Sequence, residues 1–332
     1  MELLKKLALC TSPSGREDGI REIIKEEVKE CFDEIYTDAL GNLICHKKGN
    51  GKKLMLCAHM DEIGFVVTYI DNSGFLRFGN VGGILAYNSI NSRVVFENGT
   101  VGTISYENKE NPSNINLSKM YIDIGATSRE DAEKKVKIGD MAVYHSQFYE
   151  NGNRAISKAL DDRAGCAILI EAVKKAEKSA NDLFVVFTSQ EEVGLRGAKV
   201  ASNSVEPDMA VSVDVSNVGD TPASLELNLK LGEGPAVKMK DSSYIIHPSA
   251  RRYMLDCAKN ANIKFQLEAS SYGGTDTGAI HLSGNGVPAG TISIPTRYIH
   301  SANEVIDIAD YKASVELVKT VIETSAEEYL QA

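Results

Sequence analysis

Four short apolar runs in this chain each stop on an acid or a histidine. Residues 54–58 run into His59, with Asp61 and Glu62 just beyond, and residues 183–188 run into Gln190-Glu191-Glu192. Residues 209–213 stop at Asp214, and Ile292-Ser293-Ile294-Pro295 leads to Tyr298-Ile299-His300. Short apolar runs bounded in this way read as strands. In an open α/β sheet, ligands bind outside the carboxyl ends of the strands. Four strands that deliver imidazoles and carboxylates to that edge would assemble a metal site there. Asp161, in Ala159-Leu160-Asp161-Asp162-Arg163 at the mouth of a predicted helix, supplies a further carboxylate.

The chain changes character twice around these runs. An amphipathic helix is expected over residues 1–9, where charges interrupt the apolar residues too often for an export signal. Ser14 and Glu17 fit a capping box, and Ile20, Ile23, Ile24 and Val28 recur at helical spacing, which predicts a helix over 15–29. A strand follows at 53–59. From about 63 to 153 the pattern is mostly β, with short Val/Ile/Phe/Tyr runs broken by glycines. There Asn98-Gly99 predicts a hairpin with a type I′ turn, and one short helix starts at Thr127 or Ser128. After 160 the text alternates again. Helices are expected over 163–178, 249–262 and 276–283, and strands over 183–189, 209–214 and 289–294. A last helix carries Tyr311, Val315, Val318 and Ile322 on one face. The expected fold is α/β: a mostly parallel central sheet flanked by helices, in two pieces (1–65 and 154–332), interrupted by a β-rich domain over 66–153.

Composition narrows the function. The 36 basic and 46 acidic residues leave a net charge of −10, which argues against nucleic acid or an anionic membrane as the main partner. No apolar run approaches the roughly 20 residues that span a bilayer. The six cysteines show neither a C-x-x-C pair nor regular spacing, as expected of reduced thiols in the cytoplasm. There is no P-loop, no G-x-S-x-G and no H-E-x-x-H, and Gly232-Glu233-Gly234 lacks the rest of a dinucleotide fingerprint.

Taken singly, the polar residues have ordinary explanations. His59 could be a hydrogen-bonded core histidine, Glu191-Glu192 a solvated surface pair, and Asp161-Asp162 a helix cap. Asp214 is different, because an acid that closes an apolar strand needs a partner or a metal. Imidazoles with carboxylates suit zinc, cobalt or manganese better than calcium or copper. His46 reads as a surface residue, while His145, His247 and His281 could be structural. Gly273-Gly274-Thr275-Asp276 reads equally as a loop with a helix N-cap and as a wall of a substrate site.

Ala58-His59-Met60-Asp61-Glu62-Ile63-Gly64-Phe65, Ala159-Leu160-Asp161-Asp162-Arg163, Ser189-Gln190-Glu191-Glu192-Val193-Gly194, Ser212-Val213-Asp214 and Pro295-Thr296-Arg297-Tyr298-Ile299-His300-Ser301 occur in this order. Together they resemble the two-metal aminopeptidase family of glutamyl aminopeptidase, the tetrahedral aminopeptidases and proteins once labelled endoglucanase M. The likeness runs over nearly the whole chain. One departure is Asp162, where many relatives carry Asn.

The resemblance implies a hydrolase that removes N-terminal residues from peptides with two divalent ions per subunit: zinc first, cobalt or manganese as alternatives. It implies that Asp161 bridges the ions, that His59 and Asp214 complete one site, and that Glu192 and His300 complete the other. Glu191 would be the general base, and Asp61 would orient His59. It also implies that the inserted domain lies at subunit contacts, in a homo-oligomer that reaches twelve subunits built from dimers. A metal-dependent deacylase or carboxypeptidase and a non-catalytic scaffold are the alternatives. An endoglucanase is disfavoured, because glycosidases usually work with two carboxylates and no metal pair.

Overall fold

The computed structural model describes residues 1–107, 115–224 and 227–330. The first piece of chain forms two helices, α1 (Glu2–Ala8) and α2 (Asp18–Val28), and strands β1 (Glu34–Thr37), β2 (Leu43–Lys47) and β3 (Lys53–His59). Strands β4 (Gly64–Ile70), β5 (Leu76–Val81), β6 (Arg93–Phe96), β7 (Val101–Tyr106), β8 (Met120–Asp123) and β9 (Met141–Tyr144) then close into a barrel with helices α3 (Ala86–Ser89) and α4 (Arg129–Glu133). The chain continues through β10 (Tyr149–Asn151), β11 (Arg154–Ser157), α5 (Leu160–Lys175), β12 (Asp182–Thr188), α6 (Arg196–Val205) and β13 (Met209–Asn217). It ends with β14 (Ala236–Lys240), α7 (Pro248–Asn260), β15 (Gln266–Ala269), α8 (Thr277–Ile280), β16 (Ala289–Arg297), β17 (Glu304–Asp307), α9 (Ile308–Glu323) and α10 (Glu327–Leu330).

Among the described residues eleven strands make one mixed sheet. Its centre, β12-β3-β13-β16, is parallel, and antiparallel strands extend it on both sides. The central strands are buried along almost their whole length because both of their faces are covered. Their side chains alternate between two cores. Leu54, Leu56 and Ala58 pack into the larger one with residues of α1, α2, α5, α7 and α9, whereas Met55 and Cys57 face a smaller one with Ala198, Ala201 and Val205 of α6 and Ile280 of α8. The barrel has its own core, in which Phe65 meets Phe78 and Tyr144 edge-on at 5.1 and 5.2 Å.

The sequence reading needs correction at three places. The capping box does not form: α2 starts at Asp18, and Glu17 precedes it without a side-chain cap. Ser14 Oγ instead donates to Asp61 at 2.6 Å, and Glu17 accepts from the Gly15 and Gln190 N–H groups. The Asn98-Gly99 hairpin exists, but its turn runs from Phe96 to Gly99, and only Gly99 of the pair has a positive φ (85°), so it is not type I′. The helix expected over 276–283 is the single turn α8. The short helix capped by Ser128 is present as α4, and α3 is an addition to it.

Candidate metal centre

Parallel packing brings the carboxyl ends of β3, β12, β13 and β16 to one edge, and the predicted residues meet there. His59 is the last residue of β3 and pairs in register with Thr188 of β12, so Glu191 and Glu192 emerge beside it. Asp214 lies near the end of β13, opposite Ser293 of β16. His300 follows β16 in a loop. Asp161 sits before the regular part of α5, where Asp161 and Asp162 have non-helical dihedrals and share a cis peptide bond.

Asp161 is the centre of the cluster. Its Oδ1 lies 3.0 Å from His59 Nε2, and its Oδ2 lies 3.3 Å from His300 Nε2. Around it are two sets of three potential donors, His59/Asp161/Asp214 and Asp161/Glu192/His300, each with its donor atoms within 4.8 Å of one another. Glu191 and Glu192 diverge: Glu191 Oε2 is 3.9 Å from His59 Nε2, and Glu192 Oε2 is 3.1 Å from His300 Nε2.

The electrostatics follow from burying four carboxylates with two imidazoles. Burial, with repulsion from Asp161 and Asp276, pushes the Asp214 carboxyl up to about 8. Burial and the neighbouring Asp214 and Glu192 raise Glu191 well above the usual carboxylate range. Burial also acts to raise Asp161, but hydrogen bonds from His300 and His59 hold it low. Burial disfavours charging His300, yet Glu192 and Asp161 push it up to about 12. Fully ionised, these four carboxylates would carry more negative charge than the two imidazoles could balance, and burial pushes Asp214 and Glu191 toward the protonated form instead. The cluster's oxygen and nitrogen donors, gathered in two sets around a shared carboxylate, fit divalent cations.

Residues outside both sets hold the backbones that carry them. The sequence reading assigns Asp61 to orient His59; its Oδ1 lies 3.5 Å from His59 Nδ1, farther than its main-chain oxygen at 3.3 Å. The same carboxylate also accepts the N–H groups of Glu191 (3.0 Å) and Glu192 (3.2 Å), which that reading missed. Asp162 accepts the N–H of His59 at 3.3 Å. Glu304, also missed, accepts the N–H groups of Asp161 and His300.

A cavity of about 820 Å³ opens over the cluster. His59, Asp161, Glu191, Glu192, Asp214 and His300 line it, with Gly273 and Gly274 among the other wall residues. Asp276 stands at the N-cap position of α8 without a side-chain capping bond; its Oδ2 accepts from Thr188 Oγ1 at 2.5 Å. The remaining histidines are not in the cavity wall. His46, expected at the surface, is half-buried and stacks on Phe184 at 4.0 Å, and His247 caps α7 by accepting from the Ser249 N–H.

The family model described as M42 glutamyl aminopeptidase matches residues 41–317. This chain belongs to the M42 peptidase family. A protein of Acetivibrio thermocellus is 53% identical to it over 322 residues, which cover 97% of this chain and 98% of the relative. An aminopeptidase structure from the archaeon Desulfurococcus kamchatkensis has a TM-score of 0.95 at 38% identity, covering 99% of this chain and 96% of that one. The TET1 peptidase of Pyrococcus horikoshii, described as assembling into a tetrahedron or a large octahedral shell, has a TM-score of 0.88 at 34% identity over 97% of this chain and 98% of its own. The M42 chain is thus a hydrolase of the exopeptidase class, from a metal-dependent family, and its cluster is a candidate metal site.

In this M42 peptidase the barrel reaches into the site. A Cβ on Gly83, in the loop between β5 and α3, would lie 2.8 Å from two ring atoms of His300. One on Gly82 (φ 81°) would come within 2.7 Å of Ile63 and 3.2 Å of Glu192. The glycines thus let the loop lie against both side chains. Gly83→Ala is expected to leave the melting temperature nearly unchanged. It should displace the His300 ring and cut peptidase activity at least about tenfold, since a 1 Å misplacement can cost ~10²-fold. Activity assays beside thermal melts check this; wild-type turnover would mean that His300 moves aside without consequence.

Proposed function

We propose that this M42 peptidase removes N-terminal residues from peptides with two divalent cations per chain. In this reading His59, Asp161 and Asp214 hold one cation, Asp161, Glu192 and His300 hold the other, and Glu191 is the general base. The observation that carries it is the placement of Asp161, whose two oxygens face histidines of two different donor sets. When bound, the cations supply Lewis acidity toward the scissile carbonyl and acidify water in the cavity.

Glu191 belongs to neither donor set, and its carboxylate borders the cavity. It is placed to take a proton from water and pass it to the departing amine, and a carboxyl with raised proton affinity suits that transfer. His59 Nδ1 faces the Asp61 main-chain oxygen at 3.3 Å; donation there leaves the Nε2 lone pair directed into the site.

Zinc is the proposed metal, with cobalt and manganese as alternatives supported by the same nitrogen and oxygen donors. We place the catalytic domain at 1–65 and 154–332 and a dimerisation domain at 66–153. The assembly described for the TET1 peptidase supports a homo-oligomer, which we propose is built from dimers up to twelve subunits. The six cysteines are free, in keeping with a cytoplasmic protein, and no described helix is long and apolar enough to cross a membrane.

Chelation tests the reading. Dialysis against a strong chelator is expected to abolish hydrolysis of aminoacyl-p-nitroanilides, and zinc, cobalt or manganese should restore it. Elemental analysis of the restored enzyme should give about two ions per chain. Full activity in the stripped protein would overturn the proposal.

A further inference from the structure

The backbones of the predicted ligands are not all held in the same way. The His59 N–H donates to Asp162 at 3.3 Å, and the Glu192 N–H donates to Asp61 at 3.2 Å. The N–H groups of Asp161 and His300 instead converge on one side chain. Glu304 Oε2 accepts from Asp161 and Glu304 Oε1 accepts from His300, both at 2.9 Å. Glu304 is only 2% exposed and is the first residue of β17, which pairs with the end of β16 just before His300.

The two segments so joined have backbone conformations that their own residues disfavour. Tyr298 and His300 have φ values of 60° and 62°, and Ala159, two residues before Asp161, has φ 52°. Non-glycine residues adopt this left-handed region uncommonly, and surrounding contacts must hold them there. A buried carboxylate is itself costly unless its oxygens are satisfied. Here each oxygen is satisfied by one of the two segments.

We propose that Glu304 is a positioning residue that fixes the separation of Asp161 and His300, and so shapes the Asp161/Glu192/His300 cation site without touching cation or substrate. The proposal rests on the reading of the cluster as a two-cation centre. It predicts an asymmetry. Two of the three donors in that set hang from Glu304, against one of three in the His59/Asp161/Asp214 set. A glutamine at 304 has a single acceptor oxygen and would turn its NH₂ toward the other N–H donor. An aspartate keeps the charge but is one methylene shorter, so it reaches only one of the two.

The test is titration of chelator-stripped, full-length protein with Co²⁺ alone, followed by visible absorption and calorimetry. Wild type is expected to bind in two phases. In Glu304→Gln one phase should keep its affinity within about threefold, while the other weakens roughly 10–100-fold, the usual effect of losing a group that orients a ligand. If Glu304→Gln does not fold, Glu304→Asp gives the same readout. Two unchanged phases, two phases weakened alike, or a lower melting temperature with unaltered Co²⁺ binding would each reduce Glu304 to a stabilising role and overturn the proposal. Failure of the wild type to bind two Co²⁺ ions would overturn the two-cation reading beneath it, so the two failures are separable.

Discussion

Glu191→Gln is expected to retain its full complement of cations and to lose roughly 10²–10⁴-fold in kcat on aminoacyl-p-nitroanilides. The amide matches the carboxylate in shape, so packing around position 191 should survive. The main-chain N–H of residue 191 still reaches Asp61 Oδ1 at 3.0 Å, which keeps the adjacent Glu192 in place. On the proposed mechanism, the side chain loses the capacity to accept a proton and carry it to the departing amine. Neither donor set contains Glu191, so cation content should not follow activity downward. Elemental analysis and steady-state kinetics on the same preparation check both halves. Turnover within a few-fold of wild type would remove Glu191 from the mechanism; loss of cations would make it a ligand.

The parts of the fold that were legible in the sequence are those whose pattern is local. β3 reads correctly over Lys53–His59 because an unbroken apolar run ends in a polar residue. α9 reads correctly because Tyr311, Val315, Val318 and Ile322 recur at helical spacing and all four are buried. α6 escaped that reading because its buried face is made of Gly197, Ala198, Ala201, Ser202 and Val205, too small and too weakly apolar to mark a stripe. Ser14 and Glu17 misled for a different reason: their side chains serve neighbouring loops, a demand that only the assembled fold creates.

The seven predicted site residues were visible because acids and histidines at strand ends are conspicuous, and because the ordered motifs around them resemble a family. The residues that brace them were not. Glu304 looks in sequence like any solvated acid after Asn303, and its partners are set by the pairing of β17 with β16. Gly82 and Gly83 look like an ordinary turn, and their requirement for small size comes from His300 and Glu192, far along the chain. Asp61 was legible as the neighbour of His59 but not as the acceptor for two N–H groups of the loop after β12. Contacts that depend on long-range pairing leave no local pattern to read.

Asp161→Asn should separate from Glu191→Gln by failing at the opposite step. Asp161 uses one oxygen toward each histidine, Oδ1 toward His59 at 3.0 Å and Oδ2 toward His300 at 3.3 Å. An amide of the same shape keeps a single oxygen, so one donor set loses a member outright and both lose a shared negative charge. The NH₂ that replaces the other oxygen has no lone pair to offer a cation and points toward an imidazole nitrogen. Both cations should therefore weaken together, leaving less than about one per chain after dialysis and activity at least ~10²-fold lower. The fold should persist, because the N–H of residue 161 still donates to Glu304 and the core around α5 is untouched. Elemental analysis, circular dichroism and kinetics read the three outcomes separately. A folded Asp161→Asn protein that holds two cations and turns over normally would show that the two sets do not depend on a common carboxylate.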